Sequence, residues 1–366
     1  MSIIRKSLLV VSVAALCLLL VSVALADVGH VDTTVSNFSA GTVGSCFVGP
    51  STSDGINGEV TLLPTMASDF SGGSLPSGWI TQTWQSGGSV TVNGGQLTVD
   101  NAAVYGPAVT SASSIEYMGL FTNTLYQFGG FSSIDPVGLY SPWAYFTTDG
   151  TGTDLYARTT TDVALGAGYL GGMHRFRIDW NGTNVTYYID DASVDTQAVD
   201  LTNRSPLFSD NGVGTYIIDW VRMAPYSPTS CTFESRAFDS VVTSTTWVTL
   251  TTDTYLPTGT SLAFETRSGN LNPPTDGTWT AVAGDINTTG QYLQYRVTLN
   301  GTALATPRVN SVIVQTTPPT AVTLLDLTAV NQAGGSVVWL LLGSAAAALG
   351  LIAVARRVAK RPSRLD

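Results

Sequence analysis

Lysine is absent from the entire stretch between Lys6 and Lys360. Within Asp27 to Gly335 nine arginines stand against 25 acidic residues, a formal charge of −16. Such a surface repels phosphate backbones, which excludes nucleic acid as a partner and suits a soluble exterior or one that collects cations. Glutamate is nearly absent too: Glu59, Glu116, Glu234 and Glu265 are the only four, each isolated along the chain. The two histidines, His30 and His174, lie far apart, so a Ser-His-Asp triad would have to be built on one of them. His174 opens a strand and reads as a strand-edge polar residue. No Cys/His zinc spacing and no Gly-rich phosphate loop before a helix occurs. Asp190, Asp191 and Asp195 cluster at a strand end and read as a solvated turn.

Cysteine is scarce as well. Of three, Cys17 lies in the N-terminal apolar run, which leaves Cys46 and Cys231 as an even pair. In an oxidising compartment they would form a disulfide joining the N-terminal segment to the start of a second domain; two unrelated buried thiols are the alternative. The chain-entropy model gives about 4–5 kcal/mol for closing so long a loop.

Long apolar runs are confined to the two ends. Arg5 and Lys6 precede an apolar stretch that closes on Ala24-Leu25-Ala26, the pattern of a secretory signal over 1–26. Val337 to Ala355 holds no charge and is followed by Arg356, Arg357, Lys360, Arg361 and Arg364. That spacing predicts a transmembrane helix over 336–355 with a basic cytoplasmic tail over 356–366. The expected location is the cell surface, anchored in the cytoplasmic membrane by its C-terminal helix, with the bulk extracytoplasmic. Gly334-Gly335-Ser336, the span and the Arg-rich tail together resemble a three-part bacterial sorting signal. No Leu-Pro-x-Thr-Gly motif accompanies it, so a simple anchor is the plainer expectation.

Between the ends, a helical apolar period is missing. Short alternating runs bounded by Gly, Asn, Asp and Pro predict an all-β chain of sandwiches or jelly rolls. The organisation reads as an N-terminal β segment over 27–68, a large jelly roll over 69–226, a linker near Pro225 to Pro228, an accessory β-sandwich over 231–316 and a stalk over 317–335. Within the jelly roll, Ser89 to Val92 and Gln96 to Val99 flank Asn93-Gly94-Gly95, a hairpin turn that needs positive φ. Six Asn-x-Ser/Thr sequons, at Asn37, Asn181, Asn184, Asn203, Asn287 and Asn300, fit chance in a Ser/Thr-rich chain.

His174-Arg175-Phe176-Arg177-Ile178-Asp179-Trp180, the Asn181-Gly182 turn, and Val185 to Asp191 resemble two adjacent strands of concanavalin A-like proteins. These include laminin-G-like modules and family 16 glycoside hydrolases. Ile217 to Arg222 is similar to the last strand of those hydrolases, and Phe70 to Trp79 to their opening segment. The resemblance implies a sandwich of two curved sheets whose concave face can hold a glycan. Cys231 to Thr316, through Phe233 to Asp239 and Tyr292 to Arg296, resembles an accessory sandwich of bacterial surface proteins.

A retaining family 16 hydrolase carries Glu-x-Asp-x-(x)-Glu on one strand, two carboxylates about 5–5.5 Å apart on one face. The corresponding strand here, Trp143 to Thr147, has no carboxylate. The expectation is therefore that the chain is not an enzyme but a binder of carbohydrate or another envelope component. A purely structural adhesion protein and a diverged hydrolase are the alternatives. Alternation places Trp143 and Tyr145 on one strand face, with Tyr156 and Arg158 sharing a face of the next. They form a candidate ligand platform, or else part of the core. Trp79 and Trp84 are weaker candidates. The resemblance further implies a structural calcium ion held by backbone carbonyls and Asp219; an aspartate satisfied by backbone N–H groups is the other reading.

Overall fold

The computed structural model describes residues 30–317, apart from 134–142, 149, 200–202, 213 and 283. The signal segment, nearly all of the stalk, the expected span and the basic tail lie outside the described residues. Among the described residues no helix is long and apolar enough to cross a membrane. Strands dominate, and the helical pieces are Val35–Ser39 and the single turn Ala167–Tyr169.

The first sandwich packs two antiparallel sheets. One runs in the order Ala192–Ala198, Asn184–Ile189, Met173–Trp180, Ser113–Leu120, Tyr216–Tyr226, Gln96–Asp100 and Ser89–Asn93, with Pro64–Ser68 added beside Tyr216–Tyr226. The other runs Asp162–Gly166, Leu155–Arg158, Ala144–Thr148, Gln127–Ser133, Arg204–Asp210, Ala102–Tyr105 and Ile80–Thr83. Alternating residues of both sheets meet in a core rich in rings, among them Tyr117, Phe121, Phe146, Phe176, Phe208 and Tyr216. Close approach sets one glycine: a Cβ on Gly129 would stand 2.4–2.5 Å from the Tyr216 and Tyr117 hydroxyls. The expected hairpin forms with Asn93 opposite Gln96 and with Gly94 and Gly95 at φ 60° and 80°.

The second sandwich is not made of residues 231–316 alone. Its five-stranded sheet holds Ser230–Glu234, Tyr292–Asn300, Ser261–Gly269 and Thr280–Val282, with Phe238–Asp239 beside Tyr292–Asn300. Its six-stranded sheet is ordered Cys46–Pro50, Gly58–Leu62, Arg308–Thr316, Thr246–Tyr255 and Asp285–Thr289, with His30–Asp32 paired to Arg308–Thr316. The segment read as 27–68 therefore divides. Its first strands complete the second sandwich, and only Pro64–Ser68 belongs to the jelly roll. Topologically the jelly roll is an insertion between Leu62 and Ser230. The proline-rich stretch near Pro225 is no loose linker: the Tyr216–Tyr226 strand runs through it, and Tyr226 is buried in the second core. Cys46 and Cys231, facing from the two sheets of this sandwich, form a disulfide with a Cα–Cα distance of 5.3 Å.

Where the sandwiches meet, the packing is ionic. The outer face of the eight-stranded sheet presents Glu116, Arg175 and Arg222; the second sandwich presents Glu59 and Arg308. Arg175 donates to both Glu59 oxygens at 3.0 and 2.5 Å and through Nε to Glu116 at 2.9 Å. Arg308 Nη1 reaches Glu116 at 2.7 Å, Arg222 pairs with Glu59, and Arg308 pairs with Asp191. The Trp220 ring lies 4.9 and 4.4 Å from the Arg175 and Arg222 guanidinium carbons, and Tyr255 lies 4.2 Å from that of Arg308. Glu59 is fully buried and Arg308 is 1% exposed. Burial pushes the Glu59 carboxyl upward, but Arg175, Arg222 and Arg308 outweigh it and hold the group at about 2.

Removing one member of such a cluster leaves uncompensated buried charge, which costs about 3–5 kcal/mol. Glu59→Gln is expected to lower the unfolding free energy from urea titration at pH 7 by that amount. The folded value lies below the unfolded one. The contribution is therefore present above about pH 4.5 and lost as pH falls towards 2, and the variant loses that part of the acid slope.

Candidate functional site

The outer face of the seven-stranded sheet is the face that strand alternation picks out. Tyr145 is in register with Arg158, and Thr147 with Tyr156. Their strand neighbours Ala144, Phe146, Leu155 and Ala157 point into the main core. Tyr145 instead joins a separate apolar cluster with Ala103, Tyr105, Phe128 and Leu207, and Trp84 and Trp143 pack at its border. The rings of Trp143 and Tyr145 lie 5.4 Å apart at 30°, and Phe128 meets Tyr145 edge-on at 5.1 Å. Trp84 is fixed by an Nε1–H bond to Ser209 Oγ at 2.9 Å.

The four expected platform residues are thus on one side of the sheet, but they are not equivalent. Tyr145 is only 1% exposed, which corrects its expected role as a contact surface. Packed against Phe128 and Trp143, it supports the platform from within, and burial raises its hydroxyl far above the ordinary range. Trp143 and Tyr156 are half-buried. Trp143 Nε1 has no hydrogen-bond acceptor among the described residues. Arg158 is clamped in a two-point ion pair with Asp162, so its charge is matched and its planar group is held in place. Sequence reading ranked Trp84 low and missed Tyr105, Phe128 and Leu207. The alternation of Ala102–Tyr105 and Arg204–Asp210 carries the signal for these, once it is known which strands neighbour Ala144–Thr148. Trp79 lies in the main core, stacked on Phe208 at 6.0 Å.

No glutamate stands on the described part of this face. Glu59 and Glu116, isolated in sequence, do converge, but where the eight-stranded sheet meets the second sandwich, Glu116 from the one and Glu59 from the other, both locked to arginines. Asp190 and Asp191 form the expected turn, with Asp190 exposed, but the carboxylates of the cluster are engaged. Asp190 accepts from Arg175 N at 3.0 Å and contacts His174 Nδ1 at 2.7 Å, Asp191 pairs with Arg308, and Asp195 accepts from Gln197 at 2.7 Å.

Asp219 sits on the Tyr216–Tyr226 strand, beside a cavity of about 210 Å³ that Asp54, Asp69, Ser71, Gly94 and Gly95 also line. Gln96 Nε2 donates to it at 3.3 Å, and no ion pair to it occurs among the described residues. Burial pushes its carboxyl up to about 6. Among the described residues no three carboxylate, imidazole or thiolate groups converge into a metal site. An ion here would therefore rest on Asp219 plus oxygen donors of the backbone. A buried carboxylate without a cation and a cavity lined by acidic residues fit that donor set.

No family model matches the chain, and no curated protein matches its sequence. Solved structures do match in fold. A prokaryotic β-1,3-1,4-glucanase (lichenase) from a mouse hindgut metagenome is 14% identical over 43% of this chain and 97% of its own, with a TM-score of 0.32. A laminarinase from a Flavobacterium species is 11% identical over 45% and 100%, at 0.34. A pseudo β-1,3-glucanase of Mycobacterium tuberculosis is 15% identical over 44% and 98%, at 0.33. These are jelly-roll proteins of the concanavalin A-like superfamily. That is the resemblance the sequence carries for its first large unit. The likeness is one of fold and says nothing about substrate.

The expectation that the chain is not an enzyme is corrected at this point. The solved structures that it matches in fold include a lichenase and a laminarinase. The missing Glu-x-Asp-x-(x)-Glu strand speaks against one mechanism and not against glycan processing as such.

Asp219 yields a pH test. Its folded value of about 6 lies above the ordinary carboxylate value of about 3.9. Its stabilising contribution is therefore full below about pH 4 and lost as pH rises through 6. In buffer with chelator, Asp219→Asn is expected to gain stability over the parent between pH 5 and pH 7. An unchanged difference across that window would contradict the assignment.

Proposed function

We propose that this chain handles carbohydrate, binding or processing a glycan on the outer face of the seven-stranded sheet. Trp143 carries the reading: a half-buried indole that packs on a rigid aromatic base at the border of the outer-face cluster. Pyranose rings are recognised by aromatic faces that meet their C–H groups, with a few fixed polar groups setting orientation. Trp84 and Tyr156 extend that surface, and Arg158, immobilised by Asp162, offers donors in a set direction.

The chain is further proposed to act outside the cytoplasmic membrane, anchored by its C-terminal span. The charged and apolar pattern of its two ends supports this, as does the Cys46–Cys231 disulfide, a bond suited to an oxidising compartment. Calcium is proposed as a structural ion at Asp219, supported by the uncompensated carboxylate in its acidic surroundings.

On a glycan array the parent is expected to retain at least one oligosaccharide class. Trp143→Ala should weaken that binding about tenfold or more while the thermal midpoint stays near the parent's. An array without any bound glycan would sink the proposal, and chromatography of the bound oligosaccharide would separate processing from binding. For calcium, the ion should raise the melting temperature of the parent and leave that of Asp219→Asn unchanged; equal shifts in both would remove the ion from this site.

A further inference from the structure

A second cavity, of about 380 Å³, lies on the other side of the Ser51 to Asn57 turn, where the two sandwiches meet. That volume falls at the small end of the roughly 300–1,000 Å³ typical of small-molecule sites. Its lining is not the usual apolar one. Thr33, Ser51, Thr52, Asn57, Asn310 and Ser311 supply hydroxyls and amides, with Arg175 from the first sandwich and Asp253 from the second.

Two features show that this lining is not self-satisfied. Asn310 donates through Nδ2 to Asp253 at 3.4 Å, yet its Oδ1 is buried without a donor. Arg175 has five N–H groups, of which its bonds to Glu59 and Glu116 use three. A buried acceptor left unmade is costly, and a bound hydroxyl would satisfy it. The turn that forms one wall is held in shape by Asp54, whose Oδ1 accepts from Thr52 Oγ1, Ile56 N and Asn57 N at 2.7, 2.8 and 3.0 Å.

Charge narrows the ligand class. The Arg175 guanidinium is neutralised by Glu59 and Glu116, and Asp253 adds a negative group, so an anion finds no net positive charge here. A cation finds no group of carboxylates among the described residues. A ligand with many hydroxyls, each able to donate and accept, matches the lining. We infer that this cavity is a second binding site, distinct from the Trp143 face, for a neutral polyol the size of one sugar unit.

Saturation-transfer difference NMR on the intact chain tests this, with glucose, galactose, mannose, N-acetylglucosamine and glycerol as separate probes. At least one probe is expected to show transfer that survives in Trp143→Ala and falls about tenfold or more in apparent affinity in Asn310→Ala. If Asn310→Ala does not fold, Thr33→Val serves as the second variant, with the same expected loss. No transfer from any probe would overturn the inference. Transfer that persists in the cavity variants but vanishes in Trp143→Ala would overturn it too, while leaving the aromatic face standing. Loss in the cavity variants alone upholds the cavity whatever the array shows for Trp143.

Discussion

One carboxylate, Glu59, is shared by Arg175 and Arg222 of the jelly roll, with Arg308 of its own sandwich close by. Much else depends on that arrangement. The strand that bears Glu59, Gly58–Leu62, lies in the six-stranded sheet of the second sandwich, and the strands that bear Arg175 and Arg222 lie in the jelly roll. A buried charge tolerates little misplacement, because its partners replace water that cannot re-enter. The cluster therefore fixes how the outer face of one sheet lies against the other sandwich. The insertion of one sandwich into the other, between Leu62 and Ser230, supplies the chain path that makes this contact local in space though distant in sequence.

The exterior takes its negative sign from composition, nine arginines against 25 acidic residues between Asp27 and Gly335. With no lysine between the two ends, arginine is the sole fixed cation, and the interior ion pairs take up Arg175, Arg222 and Arg308. Arg158, Arg236 and Arg296 are paired with Asp162, Asp32 and Glu265. Acidic side chains such as Asp54 and Asp69 are left on the surface, near the buried Asp219. An exterior of one sign favours cations at its concave points, which is the physical ground for proposing a calcium ion there.

What the sequence made legible was local. The hairpin at Asn93-Gly94-Gly95 and the pair of strands joined at Asn181-Gly182 follow from alternation and turn chemistry between neighbours in the chain. The face of Trp143, Tyr145, Tyr156 and Arg158 was legible for the same reason, since period two decides sides. Alternation says nothing of what lies over a side, so the burial of Tyr145 beside Phe128 was beyond it. Pairing across long separations was hidden as well. Nothing in Glu59 to Leu63 announces that Val60 will stand opposite Val309, and nothing in four scattered glutamates shows that two of them will share Arg175 and Arg308. The expectation of no enzymatic activity went too far for a related reason: it read a missing pattern on one strand as a property of the whole surface.

Native-state hydrogen exchange of the intact chain in rising denaturant addresses the charge cluster most directly. Amides in the core strands Ser113–Leu120 and Met173–Trp180 report the jelly roll; those in Tyr292–Asn300 and Arg308–Thr316 report the second sandwich. The expected result is that all four merge into one common opening free energy, because the two sandwiches unfold as a single cooperative body. Two separate plateaus, one per sandwich, would show that Glu59 and its arginines do not join them.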